Sequence, residues 1–153
     1  MKISIFACGF NIDNGKPTQQ GACAARLQYV DDYNRISIRV IGEPVGNSTG
    51  PQCDIKAAML GLMAIKATTV FRKMSIELFA SAYVSQLLER DDTSFKINPK
   101  KNMELIRRLR EKASLFENLI VQVGSKEQLQ QTMDIAKTVV NTGIASDSGT
   151  IAL

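Results

Sequence analysis

The chain contains no histidine and no tryptophan, three cysteines, four prolines, and only 6% aromatic residues. With no histidine, and with Cys8, Cys23 and Cys53 lacking any Cys-x-x-Cys spacing, it offers no zinc ligand set. Three scattered cysteines also argue against a disulfide framework and for a reducing, cytoplasmic compartment; they read as small buried core side chains. No apolar run approaches the roughly 20 residues that cross a bilayer, so no membrane is expected among the partners. The opening Met1-Lys2-Ile3-Ser4-Ile5-Phe6 is too short an apolar stretch for a signal peptide and reads as a first strand. Nor do aromatic residues alternate with basic ones, as in a platform that stacks single-stranded bases.

What is there suits one ordinary domain. The chain has 153 residues, 44% hydrophobic and 22% charged, with a net charge of +4. A chain of this length buries about two thirds of its unfolded surface on folding. The mild excess of positive charge is compatible with a polyanionic partner without specifying one.

Hydrophobic periodicity places the elements. Residues 3–8 are apolar on both alternating faces, as in a strand covered on two sides. Gly9 to Gln20 reads as a loop and Gly21 to Val30 as a second strand. After the turn Asp31-Asp32-Tyr33-Asn34, Ile36, Ile38 and Val40 alternate with Arg35, Ser37 and Arg39, predicting an antiparallel hairpin. Glu43 to Gln52 reads as a connection. A helical stripe then runs from Cys53 to about Thr68 through Ile55, Met59 and Leu62. A strand at residues 75–79 precedes a helix at 81–90. Asn102 is a candidate cap for a further helix reaching Phe116. A fifth strand at 119–123 leads to a last helix, where Ser125 and Gln128 have capping-box spacing and Gly143 is the stop. The pattern predicts an α/β fold with a mixed five-stranded sheet: three antiparallel strands, then strand–helix alternation, with helices on its faces. The domain spans residues 1–142, with 143–153 as a loose tail.

This order resembles the ribonuclease H family (type 1), and short phrases match it in sequence. Ile5-Phe6-Ala7-Cys8-Gly9 resembles the family's first strand, where an aspartate precedes the glycine. Cys53-Asp54-Ile55-Lys56-Ala57-Ala58 resembles its Met-Glu-Leu-x-Ala-Ala, and Phe79-Ala80-Ser81-Ala82-Tyr83-Val84 its Thr-Asp-Ser-x-Tyr-Val. Lys101-Asn102-Met103-Glu104-Leu105 and Met133-Asp134-Ile135-Ala136 are similar to later family phrases.

The resemblance implies where a site would lie. In the family, carboxylates at these places hold two divalent metal ions, about 3.5–4 Å apart, that activate water against a phosphodiester. The corresponding residues here are Cys8, Asp54, Ala80 and Asp134. A thiol is a soft, poor ligand for magnesium, which needs hard oxygen donors, and alanine supplies none. The family's mobile histidine has no counterpart, and its paired asparagines before the first helix are replaced by Gly50-Pro51, with Asn47 offset. The resemblance therefore implies no catalytic residues and no cofactor. Magnesium or manganese would enter only through Asp54 and Asp134 with a further ligand, for which Asp13 in the loop is a candidate. A structural reading stands beside this one. Asp54 would favour a helix N-terminus by about 0.3–1 kcal/mol, Asp134 would be solvated, and Cys8 and Ala80 would be core.

Positive charge is densest at Lys96, Lys100, Lys101, Arg107, Arg108, Arg110 and Lys112. In the family a basic protrusion here grips the nucleic-acid backbone, and phosphate contacts need only placed cations. Glu104 with Arg108, and Arg107 with Glu111, are also i,i+4 pairs, the mark of a solvated helix face. The expectation is a non-catalytic ribonuclease H-like module that binds nucleic acid (RNA, DNA or hybrid) or a protein. The alternatives are a weak metal-dependent nuclease and an oligomerising scaffold without nucleic-acid affinity.

Overall fold

The computed structural model describes residues 1–66, 68–89 and 99–149, with backbone only for 99–101. Its elements are β1 (Lys2–Ile12), β2 (Gln20–Val30), β3 (Ile36–Gly46), α1 (Gly50–Met63), α2 (Thr69–Arg72), β4 (Ser75–Ala80), α3 (Ala82–Glu89), α4 (Pro99–Ser114), β5 (Asn118–Val123), α5 (Lys126–Thr142) and β6 (Ser146–Asp147). Together the strands form one mixed sheet in the order β5-β4-β1-β2-β3-β6. β1, β2 and β3 are antiparallel neighbours, while β4 runs parallel to β1 and β5 parallel to β4.

Alternation along β1 divides the interior. Ile3, Ile5 and Ala7 point to one face, where they meet Ala25 and Leu27 of β2 and Ile76 and Leu78 of β4. That face is covered by Ile55, Ala58 and Leu62 of α1, Val84 and Leu87 of α3, and Ile106 and Leu109 of α4. The opposite face has a much smaller core, where Ala22 and Ala24 pack against Ala136 and Val139 of α5. The small strand residues admit the helix closely. A Cβ at Gly42 would lie 2.8 Å from a methyl of Val139.

The expected architecture holds. β1 runs on through Ile12 and β2 starts at Gln20, so of the stretch that reads as a loop, Gly9 to Gln20, only residues 13–19 connect the two strands; the alternation of Gly9–Ile12 is masked by its polar and glycine residues. Four further local differences stand beside this one. First, β3 continues through Pro44 into the stretch that reads as a connection. Beyond its two-residue pairing with β6, no described strand lies on the outer side of β3, so the missing proline N–H breaks no ladder among the described residues. Second, α1 starts at Gly50, with a Thr49–Gln52 capping box and Pro51 in the first turn. It ends at Met63, and Thr68 caps the short α2 instead of closing α1. Third, α4 begins at Pro99, so Asn102 is no cap. Its side-chain oxygen accepts from Nε2 of Gln52 at 3.2 Å. Fourth, the sheet has six strands among the described residues rather than five, the sixth inside the stretch that reads as a loose tail. Ser146–Asp147 pairs with β3, and Asp147 binds the Arg39 guanidinium at 2.8 Å. The Ser125–Gln128 capping box and the left-handed Gly143 stop of α5 stand as the sequence predicts. Among the described residues no helix is long and apolar enough to cross a membrane.

Candidate functional site

In a sheet with parallel strands, ligand sites form where the strands end at their carboxyl edge. β4 ends here at Ala80, one residue past the Phe6–Phe79 pair, while β1 runs on to Ile12 along β2, with the first turn of α1 and the first half of α5 beside them. Of the four residues singled out by the resemblance, Cys8 and Asp54 are neighbours here.

Cys8 is buried and turns toward α5, its Sγ 3.8 Å from Sδ of Met133. Burial, and then the neighbouring Asp54 carboxylate, push its thiol up to about 12, so it stays protonated at neutral pH. Gly9 follows under the start of α1. A Cβ there would lie 2.4 Å from the carbonyl carbon of Cys53, a position that only glycine can occupy. This close approach lets the Gly9 N–H donate to Oδ1 of Asp54 at 2.9 Å. Asp54 also accepts from the Ser81 hydroxyl just past β4. Desolvation nevertheless dominates and raises its carboxyl above the usual aspartate value.

Ala80 is 1% exposed and belongs to the main core on the α1 side, away from the face that Cys8 presents. Asp134 is exposed on α5, one residue beyond Met133, and accepts from Nε2 of Gln130 at 2.9 Å. Asp13 lies in the exposed loop after β1 with φ at +55°, bonded to the Thr18 hydroxyl at 3.0 Å. Asn47 is engaged by Gln19 at 2.7 Å. Among the described residues no three histidine, cysteine, aspartate or glutamate side chains group closely enough to hold a metal ion.

The space beside Cys8 is a cleft of about 310 Å³, lined by Cys8, Phe10, Lys126, Leu129, Gln130, Met133 and Lys137. Its floor is apolar, and Lys126 and Lys137 supply positive charge. The Lys137 ammonium stands 5.5 Å from the centre of the Phe10 ring, within cation–π range. The sequence reading missed these lysines, although the signal was there. Residues 126, 129, 130, 133 and 137 are spaced as one helical stripe, adjoining the apolar face read from Leu129, Met133 and Ala136.

The basic stretch on α4 is arranged differently. Arg107 pairs with Glu104 at 2.7 Å and also with Glu111, and Arg108 binds Glu104 at 3.0 Å. These two cations are thus matched by two carboxylates along the exposed helix face. Arg110 donates to the Leu87 carbonyl at 3.0 Å, tying α4 to α3. Lys100 and Lys101 lie in the first turn of α4, and Lys96 lies outside the described residues.

No family model and no curated protein matches the sequence. Solved structures do match. LC9-RNase H1, a type 1 RNase H with the type 2 active-site motif, superposes with a TM-score of 0.76 at 16% identity, over 97% of this chain and 78% of that one. RNase H1 from the halophilic archaeon Halobacterium salinarum NRC-1 gives 0.67 at 17% identity, over 93% and 99% of the two chains. LC11-RNase H1 in complex with an RNA/DNA hybrid gives 0.67 at 12% identity, over 92% and 98%. The chain therefore has the ribonuclease H-like fold, a mixed sheet flanked by helices.

Proposed function

We propose that this chain is a non-catalytic ribonuclease H-like module that binds the nucleic-acid backbone. One observation carries the reading. Between β1 and α5, the cleft beside Cys8 is lined by an unionised thiol, apolar side chains, Gln130 and two lysines. A protein that assembles two divalent ions needs several convergent carboxylates. Here Asp54 is turned to the Gly9 N–H, Asp134 to Gln130, and Ala80 lies in the core. The residues present do not fit a two-metal centre, and a site carrying its own cations suits a phosphate contact without metal.

The similar fold of LC11-RNase H1, solved with an RNA/DNA hybrid, supports a nucleic acid as the partner class. Lys126 and Lys137 are the primary contacts in this reading. Arg107 and Arg108 on the exposed face of α4 offer a secondary set of cations, in the basic stretch whose Lys96 lies outside the described residues. These exposed arginines must exchange Glu104 and Glu111 for phosphate, which reduces the net gain.

The test is to measure binding and cleavage of labelled RNA/DNA hybrid, double-stranded RNA and single strands, with and without magnesium or manganese. Binding without cleavage is expected, weakening as salt rises. Lys126→Glu with Lys137→Glu should reduce affinity by about 10-fold or more and flatten the salt dependence by about two phosphate contacts. Metal-dependent cleavage lost in Asp54→Asn would overturn the reading in favour of a nuclease. Absence of any binding would remove nucleic acid as the partner.

A further inference from the structure

The two outer edges of the sheet are built in opposite ways. At one edge, β3 carries Pro44, a register irregularity opposite Gly21 and Ala22, and the covering β6 with its Arg39–Asp147 ion pair. Prolines, bulges and charges are the features that keep a strand edge from pairing with another chain. At the other edge β5 has none of them. Its sequence, Asn118-Leu119-Ile120-Val121-Gln122-Val123, lacks charge, proline and glycine. It pairs with β4 in unbroken register, and none of the described strands lies on its outer side.

The direction of its backbone groups can be read from the neighbour. Gly124 donates its N–H inward to the Ala80 carbonyl at 2.8 Å. Alternate residues of a strand address alternate sides. Leu119, Val121 and Val123 therefore turn their N–H and C=O groups to the free edge. Ile120 and Val123 are more than half exposed beside them, at 54% and 58%.

We propose that this edge takes the β5 edge of a second copy of the chain, antiparallel about a two-fold axis perpendicular to the sheet. Such an axis places residues of the same sheet face opposite one another. One register uses every outward group: Val121 against its own copy, and Leu119 against Val123 in both directions. Each of these pairs exchanges both backbone bonds. The intervening pair sets Ile120 against Gln122. The occupant is argued from charge. A chain of net charge +4 resists self-association least along an uncharged strand. The same register sets Glu117 of one copy opposite Ser125 of the other, next to Lys126 at the start of α5, so that opposite charges approach at both ends of the ladder.

The experiment is sedimentation velocity on the whole chain over a concentration series up to about 200 μM, a range that detects dissociation constants weaker than micromolar. The expected result is reversible growth from 16.8 kDa to twice that mass. Val123→Lys and Ile120→Lys each place a charge on the edge at an exposed position. Both should raise the midpoint concentration by at least tenfold with an unchanged circular dichroism spectrum. Ile144→Lys, at an apolar residue 69% exposed away from this edge, should leave the midpoint alone. A monomer at every concentration overturns the proposal. So does a dimer indifferent to both edge variants, or one equally weakened by Ile144→Lys.

Discussion

The two faces of the sheet divide the work of the molecule. Beneath α1, α3 and α4 lies a deep core of Ile3, Ile5, Leu27, Ile55, Leu62, Ile76 and Leu78, all 0% exposed. Across the sheet, α5 rests on Ala22, Ala24 and Gly42, with few large side chains between. The thick face carries the hydrophobic stabilisation. The thin face is shallow enough to leave a cleft beside Cys8, and the cations stand there. A single strand, β1, serves both through its alternation: Ile5 and Ala7 inward, Cys8 and Phe10 toward α5.

Three substitutions test this division. Leu62→Ala, in the thick core, should cost about 2–5 kcal/mol by the cavity it leaves, read from urea unfolding. A loss under about 1 kcal/mol would mean that α1 contributes little. Gly42→Ala acts on the thin face. Its added methyl would stand 2.8 Å from Val139 and 3.0 Å from Ile135. It should cost about 1–3 kcal/mol by overpacking and disturb the cleft by lifting α5. Unchanged stability would show that α5 has slack.

Asp54→Asn is the smallest effect and has the opposite sign. Desolvation raises the folded-state carboxyl above its ordinary value of 3.8. A raised group contributes stability in its protonated form, below the unfolded value, and loses that contribution as pH rises through the folded value. Near neutral pH the charged Asp54 is therefore a cost. Asparagine keeps an acceptor for the Gly9 N–H without the charge. The variant should melt higher than wild type at pH 7, with the advantage shrinking as pH falls toward 4. A lower melting temperature at pH 7 would show that the ionised form is favoured at the site.

Much of this was legible in the sequence because it is local. The strict alternation at Ile36–Val40, the hairpin at Asp31–Asn34 and the caps at Ser125 and Gly143 each depend on neighbours a few residues apart. The ends of α1 were misplaced because Gly50 and Pro51 signal a turn and a helix start equally well. Only the Thr49–Gln52 box distinguishes the two. On α4 the compensating i,i+4 pairs were readable from spacing, and they form as spaced. The lysines of the cleft went unread because a lysine on a helix has no visible partner until the facing strand is known.

The sequence by itself determined the types of most elements, the buried faces of their strands and helices, and which side-chain types stand at positions 8 and 80. Periodicity encodes such properties directly. Only the tertiary structure decided that β6 covers one edge of the sheet while no described strand covers β5. It alone brought Cys8 to Met133 across 125 residues of chain, and Phe10 to Lys137. Those meetings depend on how closely α1 approaches Gly9 and α5 approaches Gly42. Such approach is set by packing between distant elements, which no local pattern records.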